Sequence, residues 1–118
     1  MTETNAPRAQ VYIEPILAAI ERIESYVHDL DQAAFERNTL VQDAVIRNFE
    51  IIGEAVNKIQ LADSTFSQRH PQLRLDLAYR MRNALMHGDD SVNLSMIWNT
   101  IQSDVPTLRR QLANIPRA

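Results

Sequence analysis

The sequence contains no cysteine and only two glycines among its 118 residues. Without cysteine, neither a disulfide bond nor a thiolate metal site can form, and the composition suits a reducing compartment such as the cytoplasm. Tight turns between strands often contain glycine, of which this chain has few. Apolar residues recur at spacings of three and four, as in helices, rather than two, as in strands. Both observations predict an all-α protein.

Long apolar runs are also missing from the chain. The longest, residues 16–20, is far too short to span a bilayer, and the first ten residues lack the basic and then apolar pattern of a signal peptide. We therefore expect no membrane association and a cytoplasmic location. The chain is 45% hydrophobic and 23% charged, which is an ordinary globular composition, and its length suits a single domain over residues 1–118.

Neither sign of charge dominates the chain, whose net charge of −3 argues against binding of nucleic acid over the entire surface. The two halves differ, however. Residues 1–64 carry 11 acids and 5 bases, whereas residues 65–118 carry 4 acids and 7 bases. Within 69–88 there is one acid, Asp76, and a group of arginines that could hold a phosphate chain if they share a face: Arg69, Arg74, Arg80 and Arg82. An ordinary solvated helix explains these arginines equally well.

Helical periodicity predicts an antiparallel bundle of four main helices with a short connecting turn or helix at 31–37. The main helices are expected at about 9–28, 39–62, 72–87 and 94–115. Asn93 precedes the last of them. Pro71 suits the start of the third helix, and Gly88 suits its left-handed end.

Three positions test this assignment. The second helix begins at a Thr39-x-x-Gln42 capping pattern, with Asn38 as the rival cap. Gly53 lies in the middle of that helix, where glycine costs about 1 kcal/mol relative to alanine, and indicates close approach of a neighbouring helix. Pro106 should kink or break the fourth helix because proline has no backbone N–H.

The predicted core comprises the apolar residues on one face of each helix. In the first helix these are Tyr12, Ile16, Ala19, Ile23 and either Val27 or Tyr26. The second contributes Val41, Val45, Phe49, Ile52, Val56 and Ile59, and the fourth contributes Leu94, Ile97, Ile101, Val105, Leu108, Leu112 and Ile115.

The third helix has two distinct faces. A helical wheel places an apolar set toward the core: Leu77, Ala78, Met81, Ala84 and Leu85. The opposite arc, called here the Tyr79 face, contains Tyr79, Arg82, Asn83, Met86 and His87. A face that met only water would not need Tyr79 and Met86. We expect it to contact another copy of the chain or a large ligand, although another helix of the same bundle remains an alternative.

Arg82 and His87 are the candidates for chemistry on the Tyr79 face. Arginine offers a permanently charged fork of donors suited to phosphate oxygens, and histidine exchanges protons near neutral pH. Asn83 lies four residues before His87 and could orient the imidazole or bind a phosphate oxygen. We predict no metal and no cofactor. Glu50 and Glu54 form a carboxylate pair at helical spacing, but no histidine accompanies them at ligand spacing.

Four segments together resemble the HepT-like branch of the HEPN superfamily: "YIEPILAAIERIESY", "DAVIRNFEIIGEAVNKI", "MRNALMHG" and "IWNTIQSDVPTLRRQL". These are small all-α toxins of type VII toxin–antitoxin pairs. The resemblance implies a homodimer that cleaves RNA without a metal, with its Arg-x4-6-His signature at Arg82 and His87 and Asn83 beside it. Tyr79, Arg80 and Met86 are then expected to contact RNA or the second protomer.

One position departs from the family pattern. Relatives often have a tyrosine two residues after the histidine, and a minimal nucleotidyltransferase antitoxin modifies this tyrosine with AMP. Here that position is Asp89. Separately, the alternative function for the chain is a non-catalytic helical dimer that partners such a nucleotidyltransferase and uses the Tyr79 face for contact only.

Overall fold

The computed structural model describes residues 9–71, 73, 76 and 93–115. Of these residues 81% are helical and none is in a strand, which confirms the all-α class and agrees with the predicted helical bundle. The bounded helices are α1 (Ile13–Val27), α2 (Gln32–Glu36), α3 (Thr39–Ala62), α4 (Phe66–Arg69) and α5 (Leu94–Ala113). The predicted third main helix, 72–87, lies outside the described residues, apart from isolated positions.

Helix α1 begins at Ile13, four residues later than predicted. Ala9 and Gln10 are helical, but a turn at 11–12 interrupts the helix, and the Tyr12 amide donates to the Ala9 carbonyl at 3.1 Å. Pro15 explains the interruption, because it has no N–H to donate to the Val11 carbonyl and its ring would clash with that group. The predicted end of the helix is confirmed to within one residue.

The buried face of α1 follows the predicted spacing: Ile13, Ile16, Ala19, Ile20, Ile23 and Val27. Of the two alternatives at the end of the helix, Val27 is buried and Tyr26 is 37% exposed. Tyr12 is only partly buried against the core.

The connecting segment contains the short helix α2. Asp31 caps it by accepting a hydrogen bond from the Ala34 amide at 2.8 Å. Phe35 is fully buried, and its ring lies 5.4 Å from the ring of Trp98 on α5. This aromatic contact explains why a five-residue helix forms here, since so short a helix is not stable alone.

Helix α3 is capped by Asn38, whose Oδ1 accepts from the Val41 amide at 3.1 Å. Thr39 is the first helical residue, so the rival cap is the correct one. Gln42 donates instead to the Phe35 carbonyl at 2.9 Å. The end at Ala62 is confirmed, and Gly53 is buried.

Helix α1 runs antiparallel to α3, as side-chain contacts along their lengths show, and it also contacts α5. Toward α3, the Lys58 ammonium lies 5.9 Å from the centre of the Tyr12 ring, and Arg22 Nε donates to Asn48 Oδ1 at 2.8 Å. Toward α5, Arg109 pairs with Glu24. The buried Asn48 also donates to the Ala44 carbonyl at 2.8 Å, so its oxygen and its amide nitrogen each form a hydrogen bond.

Helix α5 begins at the Asn93 cap, whose Oδ1 accepts from the Met96 amide at 3.0 Å. It continues through Pro106 to Ala113, so the prediction of a break was wrong. An interior proline costs about 3 kcal/mol, and burial of apolar side chains on both sides of it offsets this cost. The predicted core residues of α5 are confirmed except Leu94, which is partly buried: Ile97, Ile101, Val105, Leu108, Leu112 and Ile115. Among the helices described, none is long and apolar enough to cross a membrane.

Candidate functional site

The six residues predicted to form the site lie outside the described residues: Tyr79, Arg80, Arg82, Asn83, Met86 and His87. Asp89 also lies outside them. These residues belong to one segment, residues 77–92. The structure describes the chain before this segment up to Pro71, with Leu73 and Asp76, and the chain after it from Asn93.

The chain before the segment is held by a cluster around Asp63, the residue that ends α3. The Arg69 guanidinium binds both carboxylate oxygens of Asp63, at 3.2 and 2.5 Å. The Thr65 amide and hydroxyl donate to Asp63 Oδ1 at 3.1 and 2.9 Å. The hydrogen bonds from Arg69 are the main reason that the pKa of Asp63 falls to about 2, and those from Thr65 act in the same direction against the effect of burial.

These contacts give Arg69 a structural partner. Of the four arginines between residues 69 and 82, the structure describes Arg69. Its guanidinium donates hydrogen bonds to Asp63 and, at 2.6 Å, to the Thr65 hydroxyl. A phosphate-binding role for Arg69 therefore loses support. His70 also has a structural setting, because its ring lies 4.6 Å from the Phe66 ring and its carbonyl accepts from the Leu73 amide at 2.9 Å.

The chain after the segment forms an open groove of about 370 Å³ along α5. This α5 groove is lined, among described residues, by Asn93, Ser95, Met96, Asn99, Thr100, Ser103 and Asp104. Thr100 and Asp104 are buried, whereas Asn99 and Ser103 are exposed. All but one of these side chains are polar, so the groove suits a ligand that forms hydrogen bonds.

Several polar atoms of the groove already serve the fold. Asn93 caps α5, and the Thr100 hydroxyl donates to the Met96 carbonyl at 2.8 Å. Ser95 Oγ lies 3.4 Å from Gln32 Nε2, a weak link between α2 and α5. Sequence reasoning missed the groove. The sequence contained a signal for the groove. Beside the apolar set that begins at Ile97, a second set of residues recurs at spacings of three and four: residues 96, 99, 100, 103 and 104.

A second pocket of about 270 Å³ lies between the end of α1 and α5. Its apolar lining comprises Val27, Leu30, Trp98, Ile101 and Pro106, and its polar lining comprises Glu24, His28 and Gln102. Glu24 is engaged by Arg109, and His28 ends α1 as predicted. The His28 imidazole is 81% exposed and lies 3.8 Å from Asp29, so His28 is a surface residue at a helix end.

Over the part of the chain that the structure describes, no group of three or more histidine, aspartate or glutamate side chains is arranged to hold a metal ion. Glu50 of the carboxylate pair on α3 instead lies 3.8 Å from Arg47.

Comparison with known proteins gives a family match over most of the chain. The model of a family described as "Ribonuclease HepT-like" matches residues 16–115. A protein of Thermococcus cleftensis named "Probable ribonuclease HepT" is 36% identical over 98 residues, which cover 83% of this chain and 86% of that protein.

Two further relatives are named as RNases. A "Gamma-glutamylcyclotransferase and putative RNase" of Methanocaldococcus jannaschii is 31% identical over 106 residues, which cover 90% of this chain and 46% of that protein. The chain thus spans less than half of this relative. A protein of Caldanaerobacter subterraneus named "Putative RNase" is 31% identical over 104 residues, which cover 88% of this chain and 90% of that protein. No solved structure matches the chain at a significant level.

Proposed function

Because the chain belongs to the HepT-like ribonuclease family, we propose that it is a metal-independent ribonuclease whose reacting groups are Arg82 and His87. The observation that carries the proposal is the extent of the family match, residues 16–115, which includes residues 80–90, "RMRNALMHGDD", with Arg82 and His87. The names of the relatives, which describe them as ribonucleases, support the same substrate class. On this proposal, residues 1–118 act as one HEPN-like domain in the cytoplasm.

The chemistry proposed is attack of a ribose 2′-oxygen on the adjacent phosphorus. The new O–P bond forms as the bond from phosphorus to the 5′-oxygen breaks, leaving a 2′,3′-cyclic phosphate and a 5′-hydroxyl. One group must accept the 2′-OH proton, and another must donate a proton to the departing 5′-oxygen. Arg82 stabilises the charge on the phosphoryl oxygens, and Asn83 positions either the phosphate or the imidazole.

This reaction favours a homodimer, because each chain has only one histidine on the Tyr79 face. A two-fold interface at that face would bring together His87 and the partner's His87, one to accept a proton and the other to donate one. Tyr79 and Met86 would then contribute apolar contact between protomers, and Arg80 would contribute positive charge toward the RNA. We propose further that the protein is the toxin of a toxin–antitoxin pair whose antitoxin is a minimal nucleotidyltransferase.

The catalytic assignment predicts that His87→Ala and Arg82→Ala each lower RNA cleavage by about 100-fold or more, as loss of a general acid–base group or a phosphate-binding charge does. The measurement is cleavage of labelled RNA by purified protein, with and without EDTA. Cleavage by the wild type is expected to persist in EDTA.

Matched controls are available on the described surface. His28→Ala and Arg47→Ala change exposed residues of the same types on other helices and should leave cleavage unchanged. Circular dichroism would show whether each variant keeps its helical content. A well-folded His87→Ala protein with full activity would overturn the mechanism. A wild type that binds a nucleotidyltransferase but cuts no RNA would favour the non-catalytic alternative.

A further inference from the structure

The α5 groove has the volume of a small-ligand site. Its volume of about 370 Å³ lies within the range of about 300–1,000 Å³ that is usual for ligand pockets. Its described lining comes from α5 and its cap, Asn93, so one well-packed helix fixes the position of these side chains. A site on a rigid helix holds its donors and acceptors in a constant geometry.

Asn99 and Ser103 are the residues of the groove best able to bind a ligand. Both are exposed, and neither side chain forms a hydrogen bond within the described part of the chain. Because they are four residues apart on α5, they lie next to each other on the same face. Together they offer an amide N–H₂, an amide oxygen and a hydroxyl.

The side chains that are open to a ligand indicate what kind of group the groove would accept. Asn99 and Ser103 are uncharged, and they suit a ligand with an uncharged edge of hydrogen-bond donors and acceptors. Met96 is 38% exposed and offers an apolar surface to a flat ring. A nucleobase combines a flat ring with an edge of donors and acceptors, and single-stranded RNA presents such edges to proteins.

A short stretch of chain joins the groove to the predicted reacting groups. Asn93 follows His87 by six residues, and six residues of fully extended chain span at most about 22 Å. Whatever the conformation of the intervening residues, the two positions are thus no farther apart than this distance.

Building on the proposed ribonuclease function, we propose that the α5 groove binds one base of the RNA substrate through Asn99 and Ser103 and so determines base preference. Adenine is the expected base, because its N6 amino group and N7 match the oxygen and the N–H of an asparagine amide.

The test measures binding separately from cleavage. Fluorescently labelled 2′-O-methyl oligo(A), oligo(C) and oligo(U) of equal length cannot react, because their 2′-oxygens are blocked. The wild type should bind oligo(A) most tightly. In Asn99→Ala, the ratio of the affinity for oligo(A) to the affinity for the other oligonucleotides should fall about fivefold or more. This value is the lower end of the range for loss of a bidentate contact to a base. Ser103→Ala should reduce this ratio in the same direction.

The matched control is Asn57→Ala, which removes an exposed asparagine from α3 and should leave the preference unchanged. Equal binding of the three oligonucleotides by the wild type, or an undiminished preference in folded Asn99→Ala protein, would overturn the inference. Cleavage of unmodified RNA is measured in parallel. Absence of cleavage would count against the proposed function, while the binding data would still decide whether the groove reads a base.

Discussion

Asp89 is the residue at which the chain departs from the pattern of its family resemblance. A tyrosine at this place would offer a phenolic oxygen for a stable ester with AMP, whereas an aspartate offers only a carboxylate. A nucleotidyltransferase partner would then have to inhibit this chain by binding alone or by modifying another hydroxyl, such as that of Ser91 or Tyr79.

We expect that incubation with the cognate nucleotidyltransferase and ATP adds no AMP at Asp89 of the wild type. Asp89→Tyr restores the phenolic oxygen and should become an acceptor. Peptide mass spectrometry would locate the added AMP, and Asp90→Tyr is the control for a tyrosine one residue away. A stable AMP adduct on Asp89 itself would contradict this prediction.

At the scale of elements, the junction between α3 and α4 is stabilised by charge. Asp63 is 6% exposed and Arg69 is 43% exposed, so solvent screens this ion pair only in part. The pair and the two hydrogen bonds from Thr65 hold the chain immediately before the segment that contains Arg82 and His87. Loss of this cluster should therefore affect stability first.

Asp63→Asn should lower the free energy of unfolding at neutral pH by about 1–2 kcal/mol, since hydrogen bonds to a charged group are lost. The folded-state pKa of Asp63, about 2, lies below its ordinary value of 3.8. Its contribution is thus complete above about pH 4 and disappears as the pH falls toward 2.

Urea unfolding of the wild type and Asp63→Asn across this range would measure the pH dependence. The difference between them should shrink as the pH falls from 4 to 2. Asp43→Asn, at an exposed position on α3, is the matched control for the same change of residue type. A constant difference from pH 7 to pH 2 would contradict the assignment.

At the scale of the whole molecule, the proposed mechanism needs a dimer, because a single chain provides one histidine at the predicted site. The wild type should sediment as a dimer at micromolar concentration. Met86→Asp should weaken both the dimer and RNA cleavage, because it places a charge in the proposed contact.

Leu40→Asp is the control, since Leu40 is 81% exposed on α3 and the substitution adds the same charge elsewhere. It should leave the sedimentation coefficient and the activity unchanged. A monomeric wild type that still cleaves RNA would remove the need for two histidines.

The sequence alone determined the all-α class, the ends of α3, the start of α5 and most of the core. These features depend on local patterns: apolar residues at spacings of three and four, and short polar side chains that cap helices. The predicted functional residues also came from local spacing and family resemblance. They stay predictions, because residues 79–87 lie outside the described structure.

Tertiary structure decided the features that depend on residues distant in sequence. Phe35 packs on Trp98 and stabilises α2, and Glu24 pairs with Arg109 across 85 positions. Burial around Pro106 keeps the helix continuous at a proline where the local sequence allowed a break. The α5 groove likewise depends on which side of the helix remains uncovered after packing. A one-dimensional pattern shows which residues share a face, but packing determines what each face contacts.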